Sequence, residues 1–432
     1  MTGRKVFMDF EITDTSHTLA DYKARGGYET LAKALREMQP EEVTKEVLAA
    51  GILGHGGAAF PAGRKWQVIK LNDGQPHYLC MNADEGEPGT FKDRWLLEHA
   101  PHLLLEGMLL GSYALQGRHS FVYIRGEFDL SYRRLAAALE EAYDAGLFGE
   151  NILGSDFSCD LVIYRGAGSY VCGEASAMLT SLEGKKGYPR NRPPRLTVQG
   201  LYQKPTVVNN VETIANVPFI VKHGSAAFKA IGTPKSPGTS LVSVSGHINT
   251  PGVYELEYGY PFADFLANEC GGMLGGTALK CVIPGGISTK VLTAEDIMPL
   301  TYDHKSFLDA GSQVGSQGMI VVAEGTCMVR MLQVMMRFYH HESCGQCTPC
   351  REGMGWLEKI STRIVDGGGV PSDIDRLYQI SNANDGTTIC GLGDAAGYAT
   401  VGILDKYRHE FEYYIENKRS MFDGRLEVLI HD

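Results

Sequence analysis

The 432-residue sequence contains no run of 18 or more uncharged apolar residues, so no membrane-spanning helix is expected from it. Its first stretch, MTGRKVFMDFEITD, lacks a long apolar core and a small-residue cleavage pattern, and its mixed acids do not suit an organellar leader. Blocks of like charge and a basic surplus are also missing: 40 Lys and Arg stand against 51 Asp and Glu, for a net charge of −11. Without a positive field to displace phosphate counterions, nucleic acid is not the expected partner. There is no internal repeat of fixed period and no low-complexity tract. The expectation is a cytoplasmic chain with no direct membrane span, held at the inner face of the plasma membrane only through a larger complex.

The residues that are present suit a packed molecule of two to four domains: 44% are hydrophobic and 21% charged. The 52 glycines are unevenly placed and concentrate at 51–63, 166–187 and 271–286. Apolar spacing predicts helical structure over 20–50 and 96–115, and helices at 135–143 and 175–182. Short apolar runs predict strands at 77–81, 121–124 and 161–164. Strands alternating with helices point to an α/β layer with largely parallel pairing. Residues 240–296 change to short β runs and one helix near Leu266, a small α+β module. From about 325 the pattern is helical, over 325–341, 351–366, 371–382 and 395–417.

Ten cysteines without a recognisable secretory leader read as reduced thiols or metal ligands. Six are scattered singly among apolar or small residues and read as buried small hydrophobes. The other four differ. ESCGQCTPCREG spaces Cys344, Cys347 and Cys350 two residues apart, and Cys390 follows in TTICGLGD with 39 residues between. Three thiolates on a tight turn closed by a remote fourth is the ligand pattern of a [4Fe–4S] cluster. A four-cysteine zinc site competes, although zinc sites usually show two separated Cys-x2-Cys pairs.

Two glycine loops have the composition of anion cradles, in which backbone N–H groups approach a phosphate closely. The first holds Gly54, Gly56 and Gly57, with Phe60 to stack on a flat base and Lys65 to add charge. The second runs from Gly166 through Gly168 and Tyr170 to Gly173 and Glu174, where a helix begins. Asn82, Asp84, Glu85 and Glu87 leave a predicted strand as an acidic and amide loop, and Asn209, Asn210 and Thr213 mark another turn. Taken singly, each is as well read as an ordinary turn, solvated loop or helix cap. Together with the cysteine motif they suggest conversion of two-electron to one-electron chemistry, with a flavin between a nicotinamide and an iron–sulfur cluster. A non-catalytic scaffold with a structural metal is the competing function.

In this order GHGGAAFPAGRKW, NADEGEPGTFKDR, GAGSYVCGEASAMLTSLEG, KPTVVNNVETIANVP and ESCGQCTPCREG resemble the NADH-oxidising, FMN-binding subunit of respiratory complex I. The same module occurs in bidirectional hydrogenases and NAD(P)-linked formate dehydrogenases. The resemblance spans about residues 20–420. It implies an N-terminal helical segment (1–50), a Rossmann-like FMN/NAD(P)H domain (51–238), a ubiquitin-like β-grasp module (239–325) and a helical bundle carrying the cluster (326–432). It implies FMN held by Gly54, Gly56, Gly57, Lys65, Asn82, Asp84, Gly173, Glu174, Asn209 and Asn210. Phe60, Glu85, Glu87 and Arg192 would lie on the dinucleotide side. No side chain need act as acid or base, since the reaction is hydride transfer. A thioredoxin-like [2Fe–2S] subunit and a multi-cluster iron–sulfur subunit are the implied partners.

The sequence departs from the family pattern where Arg and Gly are usual at 55 and 59; here they are His55 and Ala59. The second acid of the usual Gly-Glu-Glu-Thr motif is Ala175, which removes a carboxylate that would repel a 2′-phosphate. Arg195 replaces a usual aromatic and can bind phosphate bidentately, and Val68 also replaces one. These departures raise the expectation that NADPH is accepted beside NADH.

Overall fold

The computed structural model describes residues 4–422, so the outer ends of the expected segments 1–50 and 326–432 lie outside the described residues. The chain forms two compact units. One contains the chain up to Gly86, Phe91–Val242 and Val253–Tyr260; the other contains Glu87–Thr90, Ser243–Gly252 and the chain from Pro261 on.

The first unit is built on four strands: β1 (Tyr78–Ala83), β2 (His119–Ile124), β3 (Asp160–Arg165) and β4 (Thr206–Asn210). All pair in parallel, in the order β3-β2-β1-β4. Parallel neighbours need crossovers, and these are helical: Lys92–His99 with Pro101–Ala114, then Asp129–Asp144, then Ala175–Leu182. Leu79, Met81, Val122 and Val207 bury against Leu104, Met108, Leu135 and Ile214 in one continuous core.

Two expected helical stretches are divided, and the sequence contains the cause of each break. The 20–50 stretch forms Leu19–Ala24, Glu29–Glu37 and Pro40–Ala50, with Gly26 at φ +83° and Tyr28 at φ +64° in the first break. Pro40 starts the third helix at a position where no N–H is needed. The 96–115 stretch breaks before Pro101, which cannot donate to the turn behind it. The strand Thr206–Asn210 is an addition to the three predicted; its Val-Val-Asn-Asn run is short and ends in polar residues that read as a turn.

The part Ser243–Gly246 of the strand Thr239–Gly246 belongs to the second unit and runs parallel to Gly318–Ala323. Gly318–Ala323 is antiparallel to Leu279–Ile283, which pairs in turn with Leu292–Thr293. The helix expected near Leu266 is one turn, Phe262–Asp264, continuing into a wider π-type turn over Phe265–Glu269. Four longer helices, Met328–Glu342, Thr348–Val365, Ser372–Asn384 and Leu392–Asn417, pack on one another. Leu332, Met336, Leu357, Ile364, Leu377, Ile403 and Phe411 are buried. Among the described residues no helix is long and apolar enough to cross a membrane.

Candidate functional site

β1 and β4 lie side by side with Asn82 opposite Asn210, while β2 and β3 lie beyond the other edge of β1. The strand order therefore reverses between β1 and β4. Such a reversal leaves a crevice at the carboxyl ends of the strands, because the connections leaving them diverge. Both glycine loops reach this place. A Cβ on Gly56 would stand 3.3 Å from Asn210 Cβ, and the His55 N–H donates to Thr213 Oγ1 at 3.0 Å. Asn82 Nδ2 donates to the Gly173 carbonyl at 2.8 Å, and a Cβ on Gly86 would meet the Tyr170 ring at 3.1 Å.

Several of these glycines are required by the chain's own packing before any ligand is considered. An added Cβ would meet the Phe60 carbonyl at 2.9 Å from Gly54, the Tyr123 hydroxyl at 2.8 Å from Gly166 and the Asp84 carbonyl at 3.2 Å from Gly173. Gly57 (φ +103°) and Gly168 (φ +79°) occupy conformations that side chains disfavour. Ala59 sits at φ +49°, a left-handed residue without the freedom of glycine.

Charge is arranged around the crevice. Lys65 Nζ donates to the Val208 carbonyl at 3.1 Å and lies 5.9 Å from the centre of the Phe60 ring, which is exposed. Burial, and then the nearby Arg192 guanidinium, lower the Lys65 pKa from the ordinary lysine value. Glu174 Oε2 caps the helix Ala175–Leu182, accepting from the Ser176 and Ala177 N–H groups at 2.9 Å each. Glu174 Oε1 pairs with Arg192 at 2.6 Å. Ala175 begins that helix and adds no second carboxylate.

Other expected residues face inward. Asn209 Oδ1 accepts from the Trp66 indole at 2.9 Å; Asn210 Oδ1 caps the helix Val211–His223 and its Nδ2 donates to Asp93. Asp84, largely buried, takes its backbone direction from Asn82 Oδ1, which accepts the Asp84 N–H at 3.1 Å. Glu85 accepts from the Asp93 and Arg94 N–H groups at 2.9 and 3.0 Å. Its carboxyl is pushed up to about 8 by burial and by the Asp93 charge. Glu87 belongs to the second unit, where Ser288 N–H and Oγ each donate to it at 2.8 Å. Arg195 is exposed, with its carbonyl accepting from Val198 and Gln199. Sequence reasoning missed the inward charges His55, Lys92, Asp93 and Glu212. Lys92, Asp93 and Glu212 left a trace only as charge inside motifs (FKDR, NNVET) quoted for other reasons, and His55 only as a departure from the family pattern.

The cysteine motif folds as a turn between two helices of the second unit. Cys344 follows Met328–Glu342, Gly345 turns the chain at φ +75°, Cys347 caps Thr348–Val365, and Cys350 lies in its first turn. Cys390 stands just before Leu392–Asn417. Two helix amino termini, which favour negative charge, thus adjoin three of the four thiols. Burial pushes the Cys350 thiol up to about 12, and Cys347, Cys390 and Cys344 add to the shift, which puts all four in one neighbourhood. Among the described residues, however, no three Cys, His, Asp or Glu side chains converge as ligands of one ion.

Sequence profiles for known families match along the chain. The profile described as the Nuo51 FMN-binding domain covers residues 47–219, an SLBB domain covers 240–322, and the NADH-ubiquinone oxidoreductase-F iron-sulfur binding region covers 330–414. Over 406 residues the chain is 46% identical to an NADH-quinone oxidoreductase F subunit of Rhizobium meliloti, covering 94% of this chain and 96% of that one. This chain belongs to the family of NADH-quinone oxidoreductase F subunits. A second relative, the NADH-quinone oxidoreductase F subunit of Streptomyces coelicolor, is also 46% identical, over 95% of this chain and 91% of its own length. Among solved structures, an NAD+-reducing [NiFe]-hydrogenase in the H2-reduced state superposes with a TM-score of 0.83 at 34% identity, covering 92% of this chain and 67% of that one. Membership of this family agrees with the crevice, whose loop N–H groups, Lys65 cation and exposed Phe60 ring suit a phosphate-bearing flat cofactor. It agrees equally with a cysteine motif set at the starts of two helices.

Proposed function

We propose that this chain is the flavoprotein subunit through which a reduced nicotinamide dinucleotide delivers electrons to an iron–sulfur chain, in complex I. The observation that carries the reading is the reversal of strand order at Asn82 and Asn210, with both glycine loops drawn to that point. Bound there, FMN supplies the step that accepts a hydride and releases electrons one at a time. The chain's residues supply position. Gly56 and Gly57, with Gly168 and Gly173, present backbone N–H groups; Gly54 and Gly166, whose N–H groups donate to the Phe60 and Ile124 carbonyls, give the loops their close packing; Lys65 adds charge; Asn82 fixes the second loop. Asn209, Asn210 and Thr213 hold the first loop and the helix behind it. Asp84, Glu85 and Tyr170 shape the acidic side of the crevice. Phe60, Arg192 and Arg195 are the groups available to a dinucleotide, and Ala175 leaves room for a 2′-phosphate. No side chain is asked to act as an acid or base, so catalysis is orientation. Cys344, Cys347, Cys350 and Cys390 hold the [4Fe–4S] cluster.

The layout we assign is a Rossmann-like FMN domain over 51–238 after a helical segment, a β-grasp module over 239–325 and a cluster-bearing bundle over 326–432. The partners that fit are a thioredoxin-like [2Fe–2S] subunit and a multi-cluster subunit, with the assembly on the inner face of the plasma membrane. A second reading, the diaphorase subunit of a hydrogenase, is favoured by the structural likeness to the NAD+-reducing [NiFe]-hydrogenase. The test is anaerobic reduction of the purified full chain with NADH and with NADPH, recording flavin bleaching and the EPR spectrum together. Bleaching followed by a reduced-cluster signal is expected. Protein without bound flavin and iron would overturn the reading.

A further inference from the structure

Ser343 is the residue at which the helix Met328–Glu342 ends and the cysteine turn begins. Its backbone leaves the helical region, with φ −62° and ψ +120°. That change of direction carries its hydroxyl across the turn, and Ser343 Oγ stands 3.2 Å from Cys350 Sγ. A serine in a helix more often returns its hydroxyl to the carbonyl four residues back. Here that carbonyl, of Tyr339, already accepts the Ser343 N–H at 3.0 Å. The threonines of the two cysteine motifs are directed elsewhere. Thr387 Oγ1 and Thr388 Oγ1 donate to the Ala383 and Cys390 carbonyls, each at 2.8 Å, and Thr348 is exposed.

The position of Ser343 is fixed from behind. Tyr339 is fully buried, and its hydroxyl lies 3.1 Å from Ser288 Oγ. Ser288 Oγ gives its own proton to Glu87 Oε2 at 2.8 Å, so the Tyr339 hydroxyl is the donor in that pair. The helix end from which Ser343 departs is thus pinned by a buried ring and a hydrogen-bonded carboxylate, all within the second unit.

Between a free thiol and a hydroxyl either atom can donate. A cysteine that holds iron has lost its proton, and its sulfur can only accept. The serine is then the donor. One-electron reduction places further negative charge on an iron–sulfur centre and its sulfurs. A donor aimed at a ligand sulfur therefore stabilises the reduced form more than the oxidised one. We propose that the Ser343 hydroxyl donates to the Cys350 thiolate and raises the reduction potential of the [4Fe–4S] cluster, which makes Ser343 a positioning residue for single-electron uptake. This inference rests on the assignment of the four cysteines to the cluster.

The experiment is an EPR-monitored redox titration of the full chain with its cofactors, for wild type, Ser343→Ala and Ser343→Thr, with iron counted in each. Ser343→Ala removes the donor and is expected to lower the reduced-to-oxidised ratio at a given potential by about tenfold. For a one-electron couple that is a midpoint about 59 mV more negative. Ser343→Thr keeps the hydroxyl and is expected to titrate with wild type. The sign separates this role from a structural one. A turn that merely loosened would admit water, which favours the more highly charged reduced cluster and moves the midpoint upward. An unshifted or raised midpoint in iron-replete Ser343→Ala overturns the proposal, as does Ser343→Thr matching Ser343→Ala. If Ser343→Ala holds no iron, ENDOR of the reduced wild-type cluster in D2O decides. A rapidly exchanged deuteron coupled to the cluster supports the hydroxyl donor, and its absence overturns it. Wild-type protein without iron sinks the cluster assignment and the role of Ser343 together, whereas an iron-bearing wild type with an unshifted Ser343→Ala sinks the role of Ser343 alone.

Discussion

Ala59 occupies left-handed backbone at φ +49°, where a Cβ costs stability that glycine avoids. Ala59→Gly is expected to raise stability by about 0.5–1 kcal/mol, a rise in Tm of a few degrees for a domain of this size. Thermal unfolding followed by circular dichroism checks it, and a lower Tm would mean that the turn does not need this conformation. Ala175 makes a second residue-scale prediction. Glu174 is committed to the helix cap and to Arg192, so the start of that helix offers no spare carboxylate. Ala175→Glu would add one, and kcat/KM for NADPH is expected to fall more than that for NADH. Equal falls would show that position 175 does not face the 2′ position. Residues of this kind were legible in the sequence because their signal is local: a glycine pattern, a missing acid, a cysteine spacing. His55 and Lys92 were not. A charged residue in a motif looks solvated until the fold places Glu212 beside it, and that neighbour lies more than a hundred residues away.

The helix Lys92–His99 begins with two N–H groups satisfied by Glu85, a cap supplied by the preceding loop. The Glu85 carboxyl is raised to about 8, well above the usual glutamate value near 4.3. A raised acid binds a proton in the folded state that the unfolded chain has already released. Its contribution is therefore present below about pH 4.3 and is lost as pH rises toward 8. Stability of the first unit, measured as the urea midpoint, is expected to decline between pH 5 and pH 8, and Glu85→Gln to flatten that decline. An unchanged slope would assign the titration to Asp93, which burial also raises. Elements were legible where apolar periodicity ran uninterrupted, as in the helix expected and found at Ala175–Leu182. They were blurred where one residue overrides the pattern: Pro101 divides a continuous apolar stretch, and the strand Thr206–Asn210 is too short for alternation to show.

The whole molecule has two compact units, and the two candidate sites fall in different ones. The glycine loops, Asn82, Lys65 and Asn210 share the first unit and its continuous core; the four cysteines share the second with the helices that carry them. Sites supported by separate cores should be lost separately. Cys390→Ser removes the ligand that comes from the far helix and leaves the turn with Cys344, Cys347 and Cys350 in place. Iron content and the reduced-cluster EPR signal are expected to be lost, because three thiolates leave one iron of the cubane open to solvent. Flavin content and bleaching by NADH are expected to persist, since no residue of the crevice is touched. Steady-state transfer to a one-electron acceptor should then fall far more than flavin reduction in a single turnover. If Cys390→Ser instead releases the flavin while the protein stays folded by circular dichroism, the two sites share support that separate cores do not provide. The division of labour between hydride acceptance and single-electron release would then have to be sought in one coupled site.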